Sequence, residues 1–302
     1  MRIAAIVVTY NRKEMLRENL DALLGQVYST FDILIVDNAS DDGTAETIAS
    51  YLKNPRIHYA NTGENLGGAG GFQCGMLMAF KRGYDRVWLM DDDCLPYPDA
   101  LEKLVQADQC LGDAYGFLSS VVLWTDGAPC TMNIQAVSMR KKIQFDDSAS
   151  IQGLVTVQYA TFVSFFVPKH VVEAVGLPIK EFFIWADDWE YARRISRNYP
   201  CYVMGDSIVT HACIHNAGSN IVVDDPSRFW RYCYAYRNEV YVYRREGLKG
   251  WLWLLAKNGL HSVRVLCRGK NRRGERLGII WKGFMRGCGF CPGVKYLTEE
   301  IM

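Results

Sequence analysis

Three consecutive carboxylates, Asp91-Asp92-Asp93, close an apolar run, Arg86-Val87-Trp88-Leu89-Met90. Side by side they repel one another, and left unpaired in a cleft they would be costly. A divalent cation relieves that cost. Hard oxygen ligands suit Mg²⁺ or Mn²⁺, and such an ion commonly bridges protein carboxylates to substrate phosphates. The bland alternative is a solvated acidic turn or helix N-cap. A second pair, Asp187-Asp188, stands between Trp185 and Trp189 and precedes a helical pattern with Tyr191 and Arg194. One carboxylate there suits general-base work, while N-capping is the structural alternative. Tryptophan faces suit the apolar face of a sugar, although core packing is their commoner role.

These residues need elements to position them. Apolar strands alternate with helical spacing: Ile3–Val8, helix Lys13–Leu24, Phe31–Val36, Arg56–Tyr59, helix Phe72–Lys81, Arg86–Met90. That alternation predicts βαβ units and an α/β fold with a mostly parallel sheet. The strands end in Thr9, Asp37 and Asp91, which such a sheet brings to one edge. Beyond residue 115 the pattern is mixed. Phe117–Trp124, Leu154–Val167 and Cys201–His211 read as strands, Pro168–Val175 and Asp187–Arg197 as helices, and 125–150 as a loop or hairpin. From Pro226 the chain reads as helical, aromatic and basic. Gly218-Ser219 through Asp225-Pro226 marks a soft boundary.

The run Gly67-Gly68-Ala69-Gly70-Gly71 before a helix offers bare amides to an anion. A flexible turn is the plain alternative. A dinucleotide-binding fingerprint belongs after the first strand, where this chain has Thr9-Tyr10-Asn11-Arg12, so an oxidoreductase reading is disfavoured. His211 ends a strand and can serve as an imidazole ligand or as a structural histidine. His211, Cys213 and His215 make zinc conceivable, but no second ligand pair stands at finger spacing. Cys288 and Cys291 read as free thiols in a terminal segment.

The 302 residues are 49% hydrophobic with a net charge of +1, enough for a sizeable core and with no global field for nucleic acid. Ten scattered cysteines fit a reduced, cytoplasmic chain. The short Ile3–Val8 run reads as a strand rather than a signal peptide, and no apolar stretch is long enough to span a bilayer.

Four motifs in order, Val7-Val8-Thr9-Tyr10-Asn11-Arg12, Val36-Asp37-Asn38-Ala39-Ser40-Asp41-Asp42-Gly43-Thr44, Asn65-Leu66-Gly67-Gly68-Ala69-Gly70-Gly71-Phe72 and Asp91-Asp92-Asp93, resemble the inverting GT-A glycosyltransferases of family 2. The resemblance covers residues 1 to about 215. The glycine run and Phe182-Phe183-Ile184-Trp185-Ala186-Asp187-Asp188-Trp189-Glu190-Tyr191 look like the galactofuranosyltransferase branch, with rhamnosyltransferases as near relatives. The resemblance implies a GT-A fold, a Rossmann-like sheet with helices on both faces, plus a helical C-terminal extension. Residues 1–220 would be catalytic, with a nucleotide-sugar half to about 115 and an acceptor half from 116, and 221–302 the extension.

It implies Asp91, Asp93 and His211 as ligands of Mn²⁺ or Mg²⁺, with Asp92 facing the donor. Thr9, Arg12, Asp37, Asn65, Gly67 and Gly68 would surround the nucleotide. Asp188 would be the base, with Asp187 in reserve, and Trp185 and Trp189 would meet the acceptor. The expected partners are a nucleotide-sugar donor, UDP-galactofuranose before dTDP-rhamnose, and a cell-surface glycan or lipid-linked acceptor. An inactive sugar-nucleotide-binding module is the reading of a different class; the intact acidic residues argue against it. Aromatic and basic residues from Pro226 onward predict a segment lying peripherally on the cytoplasmic face of a membrane. The rival is that they pack helices onto the catalytic part or onto a second subunit.

Overall fold

The computed structural model describes residues 1–138, 141–144 and 153–297. The first half runs β1 (Ile3–Thr9), α1 (Lys13–Leu24), β2 (Asp32–Asp37), a short α2 (Thr44–Thr47), β3 (Ile57–Asn61), α3 (Gly67–Lys81) and β4 (Arg86–Asp91). There follow β5 (Cys94–Pro96), α4 (Ala100–Leu111), β6 (Leu118–Leu123), a β7–β8 pair (Ala136–Ser138, Lys141–Lys142) and β9 (Leu154–Thr156). Then come β10 (Phe165–Pro168), α5 (Lys169–Val175), α6 (Asp187–Ser196) and β11 (Tyr202–His211). Three helices end the chain: α7 (Phe229–Arg244), α8 (Gly247–Arg268) and α9 (Arg273–Cys288).

One sheet carries the site, in the order β3-β2-β1-β4-β10-β6-β11-β5, with β9 also beside β11. From β3 to β4 it is parallel. β10 runs antiparallel between β4 and β6, β11 is parallel to β6, and β5 and β9 are antiparallel to β11. β1 is buried along its whole length, as a parallel strand covered on both faces must be. Its period-2 alternation divides it between two cores. Ala4, Ile6 and Val8 meet α3 through Phe72 and Met76, while Ile3, Ala5 and Val7 meet α1 through Leu16 and Leu20. The register sets Thr9 against Asp37 and Val8 against Asp91, so the polar strand ends share one edge.

Three expectations change. The glycine run is the first turn of α3, not a loop. A Cβ on Gly71 would stand 2.5 Å from Val8 Cγ1, so this glycine lets α3 sit close against β1. Residues 154–167 form two short strands, because β9 pairs with β11 while β10 inserts between β4 and β6; an unbroken apolar run hides that change of partner. Within 125–150, β7 and β8 make the hairpin, and residues 139–140 and 145–150 lie outside those described.

Five aromatic side chains of α7 are the third correction; Trp230 stays exposed and Tyr234 half-buried. Phe229, Tyr232, Tyr236, Tyr241 and Tyr243 are buried, so they pack this helix instead of meeting a bilayer. α7 lies along α9 and over the segment before α6. Glu246 joins the helices to α6 by accepting from Arg193 Nε at 2.8 Å and Arg197 Nη2 at 2.8 Å. The tail returns as well: Leu177 N donates to Lys295 O at 2.8 Å, and Leu297 is buried in the core beside α3 and α5. No helix among the described residues is long and apolar enough to cross a membrane.

Candidate active site

A cavity of about 1200 Å³ opens at the polar edge of the sheet, floored by the ends of β1 and β4 and roofed by α7 and α8. Thr9, Arg12, Asn65, Gly67, Gly68, the three aspartates, Trp185, Asp187, Asp188, Trp189 and His211 all line it. Asp37 does not. It is buried, and its carboxylate accepts from Ser40 N at 2.8 Å and Tyr59 OH at 2.6 Å.

The aspartate triplet forms where β4 ends and the chain turns into β5. Asp92 and Asp93 are buried. Thr9 Oγ1 donates to Asp92 Oδ2 at 2.7 Å. Arg12 Nη1 spans Asp92 Oδ1 at 3.3 Å and Asp93 Oδ2 at 2.5 Å. Burial alone would raise all three carboxyls. Hydrogen bonding to His211 and the charge of Arg12 override it at Asp93, which falls to about 2. At Asp91 burial and the neighbouring charge of Asp93 outweigh the pull of His211 and Arg12 and push it up to about 7. Asp92 also rises to about 7 by burial, with Arg12 pulling the other way.

His211 links this cluster to a second strand. Its Nδ1 is 2.8 Å from Asn133 Oδ1, and its Nε2 is 3.2 Å from Asp93 Oδ1. Asn133 Nδ2 donates to Thr161 Oγ1 at 3.0 Å, which leaves Asn133 Oδ1 to accept from His211 Nδ1–H. Burial alone would lower the His211 pKa, yet its contacts with Asp93 and Cys130 raise it to about 10, so in the free protein a proton sits between Nε2 and Asp93 Oδ1, and a cation would take that proton's place. Asp93 Oδ1 is buried and has no hydrogen bond of good geometry. Asp93 and His211, with Asp91 lining the same cavity, offer oxygen and imidazole donors of the kind a hard divalent cation takes. Behind the ring, Cys130, His211 and Cys213 bring softer ligand atoms within 4.8 Å of one another; His215 takes no part in this group.

The second acidic pair opens α6. The chain enters it through a strained segment: Phe183, Trp185 and Ala186 have φ of 64°, 65° and 66°, unusual for residues with a side chain. Asn238 of α7, fully buried, holds the segment. Its Nδ2 donates to the carbonyls of Phe182 at 2.9 Å, Ile184 at 3.1 Å and Trp185 at 2.8 Å. Asp188 Oδ1 accepts from Trp189 N at 2.7 Å. Burial raises Asp188 to about 7, with the charge of Asp91 adding to it, and burial with the charge of Asp188 raises Asp187 to about 8. Asp188 feels the charge of Asp91, and Asp91 feels that of Asp187. Trp189 packs on Tyr159 with centroids 4.7 Å apart, and Trp185 on Tyr232 at 5.1 Å.

The roof contributes residues that the sequence did not single out as a site. Arg231, Glu239, Lys257 and His261 line the cavity from α7 and α8. Lys257 pairs with Glu239 at 2.5 Å, and Tyr236 OH is 2.8 Å from His261 Nδ1. Arg231 Nε is buried without a hydrogen bond; burial lowers its pKa, and the like charges of Arg228 and Arg12 lower it further. A guanidinium placed so, beside an acidic site, suits an anion. Tyr232, Tyr236, Glu239 and Tyr243 recur at helical spacing on α7, a signal masked by its overall richness in arginine and tyrosine.

Sheet order and the cleft at the strand ends are those of the GT-A fold. Crystal structures of S. aureus TarS 1-349 (TM-score 0.54, 16% identity, 96% of this chain and 72% of that one) have this fold. So does the mannosyltransferase PcManGT of Pyrobaculum calidifontis (TM-score 0.55, 16% identity, 96% and 75%). Residues 4–117 match the model of Glycosyl transferase family 2, so the chain carries a family 2 domain and is a glycosyltransferase. It is 26% identical over 300 residues, 91% of this chain and 98% of the relative, to the galactofuranosyltransferase GlfT1 of Mycolicibacterium smegmatis. It is 27% identical to the Mycobacterium tuberculosis GlfT1, over 84% of this chain and 90% of the relative.

Proposed function

We propose a metal-dependent, inverting transfer of galactofuranose from UDP-galactofuranose to a hydroxyl of a cell-surface glycan, carried on a lipid or on the growing polymer. The observation that carries this reading is a single cavity whose two walls hold Asp91 and Asp188, each half-buried and each raised to about 7. A pKa there lets Asp188 be ionised at neutral pH and still bind a proton well, as a general base requires. Asp188 takes the proton of the acceptor hydroxyl, and the hydroxyl oxygen attacks the anomeric carbon. The bond from that carbon to the diphosphate oxygen breaks, and the nucleotide leaves. Attack from the face opposite the leaving group inverts the anomeric centre.

Asp91, Asp93 and His211 would hold Mn²⁺ or Mg²⁺, which when bound would supply Lewis-acid stabilisation to the charge growing on the diphosphate. Arg12 keeps Asp92 and Asp93 in place, and Arg231 meets the diphosphate from the roof. Thr9, Asn65, Gly67 and Gly68 border the nucleotide. Asp37 shapes that border through Ser40 and Tyr59. Trp185 and Trp189 present ring faces to the sugars. The domain assignment proposed is a catalytic part to about residue 220 and a helical region, 221–302, that completes the cavity.

The donor choice draws on the relatives named galactofuranosyltransferase. A nucleotide-sugar and Mn²⁺ draw further support from neighbours of this fold captured with UDP-GlcNAc or with GDP-Man and Mn²⁺. We place the protein peripherally on the cytoplasmic face of a membrane, where a lipid-linked acceptor resides. The test is a donor panel of UDP-, dTDP- and GDP-sugars with Mn²⁺, scored by nucleotide release and by saturation-transfer NMR. UDP-galactofuranose should be turned over fastest; dTDP-rhamnose as the preferred donor would replace it.

A further inference from the structure

α8 divides its circumference among three tasks. Leu254, Asn258 and Val265 are buried against the other helices. Lys257, His261 and Arg264 border the cavity. The remaining face is apolar and open. Leu248, Leu252, Leu255, Leu260, Val263 and Leu266 are all exposed, from 44% to 75%. At helical spacing they fall within an arc of about 140°, along a helix about 33 Å long. Gly259, Ala256 and Cys267 fill the same arc, and Lys249 at its end is the one charge in it. On α9, Trp281 and Met285 are exposed as well.

A face like this is too large to leave in water without a partner. Charge identifies the partner. Glu275 is the only acid between Gly247 and Cys288, and Lys249, Arg268, Lys270, Arg272, Lys282 and Arg286 are all exposed. Leucines beneath a skirt of lysine and arginine, with a tryptophan at the side, match the boundary of an anionic bilayer. We propose that the outer face of α8, with Trp281 and Met285 of α9, lies in the headgroup region of an anionic membrane. The helix then joins the bilayer to the site: its Lys257–His261–Arg264 side borders the cavity while its leucine side meets lipid. An acceptor tethered in the bilayer would enter beside Arg264. This deepens the peripheral-membrane part of the proposed function and rests on it.

The test is flotation of the full-length chain with phosphatidylcholine vesicles and with mixed phosphatidylglycerol–phosphatidylcholine vesicles, at low and high salt. The expected result is co-flotation with the anionic vesicles only, weakened by salt. The L252Q/V263Q/L266Q variant should lose binding by roughly tenfold or more. Its nucleotide release in vesicle-free buffer should equal the wild type's, which separates docking from the glycosyltransferase reading. Quenching by bromine-labelled lipid, compared between the wild type and W281F, reports insertion of Trp281 without disturbing the stripe. Failure of the wild type to float, equal flotation of the triple variant, or a wild-type dimer that the triple variant dissolves would overturn the proposal; the dimer would assign the face to a second copy. Flotation without nucleotide release from any donor would leave docking standing and remove the catalytic reading.

Discussion

The two acidic clusters of the cavity meet the same electrostatic problem in different ways. In the triplet, two carboxylates are answered by the chain itself: Thr9, Arg12 and His211 hold Asp92 and Asp93. In the pair opening α6, backbone amides are the only help among the described residues and both carboxyls sit far above their ordinary value. Only Asp93, which meets both Arg12 and His211, is held fully ionised; at Asp92, as in the α6 pair, burial outweighs the partners and a proton is held near neutral pH. Asp91 feels both clusters, Asp93 more than Asp187, and stays raised, so it is the position where an added cation would gain most.

Breaking the triplet should have the largest effect. Asp91→Ala or Asp93→Ala should abolish nucleotide release and weaken UDP binding in Mn²⁺ by calorimetry. His211→Ala should lose roughly 10–100-fold, and excess EDTA should silence the wild type. The pH profile sharpens the contrast. A general base works when deprotonated, so kcat/KM should rise with pH to a plateau above about 7, the value to which burial raises Asp188. An acid limb near pH 4 would place the base in an ordinary solvated carboxylate.

The support beneath the second cluster comes next. Asn238→Ala removes the donor to three carbonyls in a strained segment, and should cost roughly 1–3 kcal/mol in chemical denaturation while lowering turnover. The smallest effect has an unusual sign. Asp188 is raised in the folded state, so its ionised form costs stability above about pH 7, and that cost vanishes below the ordinary carboxylate range. Asp188→Asn should therefore melt higher than the wild type at pH 8, by roughly 2–5 °C without metal, and equally at pH 4.

The legible parts are those fixed by local pattern. β1, β2 and β4 announce themselves by continuous apolar runs, and their polar ends name Thr9 and Asp91 as neighbours before any coordinates. The Asp187-Asp188 pair is visible because two carboxylates between two tryptophans are unusual. Long-range effects were not legible. The glycine run looks like a loop because composition cannot reveal that Gly71 faces Val8 across a helix–strand contact. Asp37 looks like a ligand-facing strand end, yet Ser40 and Tyr59 hold its carboxylate. The aromatics of α7 look interfacial, and burial assigns five of them to packing; the apolar face belongs to α8, whose leucines carry no motif. Asn238 and Arg231 act through tertiary placement alone, and nothing in their spacing marks them.

The central claim is that Asp188 is the base and that donor binding lies with the other wall. It is tested most directly by measuring, on one preparation of Asp188→Asn with Mn²⁺, both UDP affinity and the rate of nucleotide release from UDP-galactofuranose. The amide keeps the shape and cannot take the proton, so UDP affinity should match the wild type while turnover falls by roughly two to four orders of magnitude. Wild-type turnover by Asp188→Asn, or a loss of UDP binding equal to the loss of rate, would contradict the account.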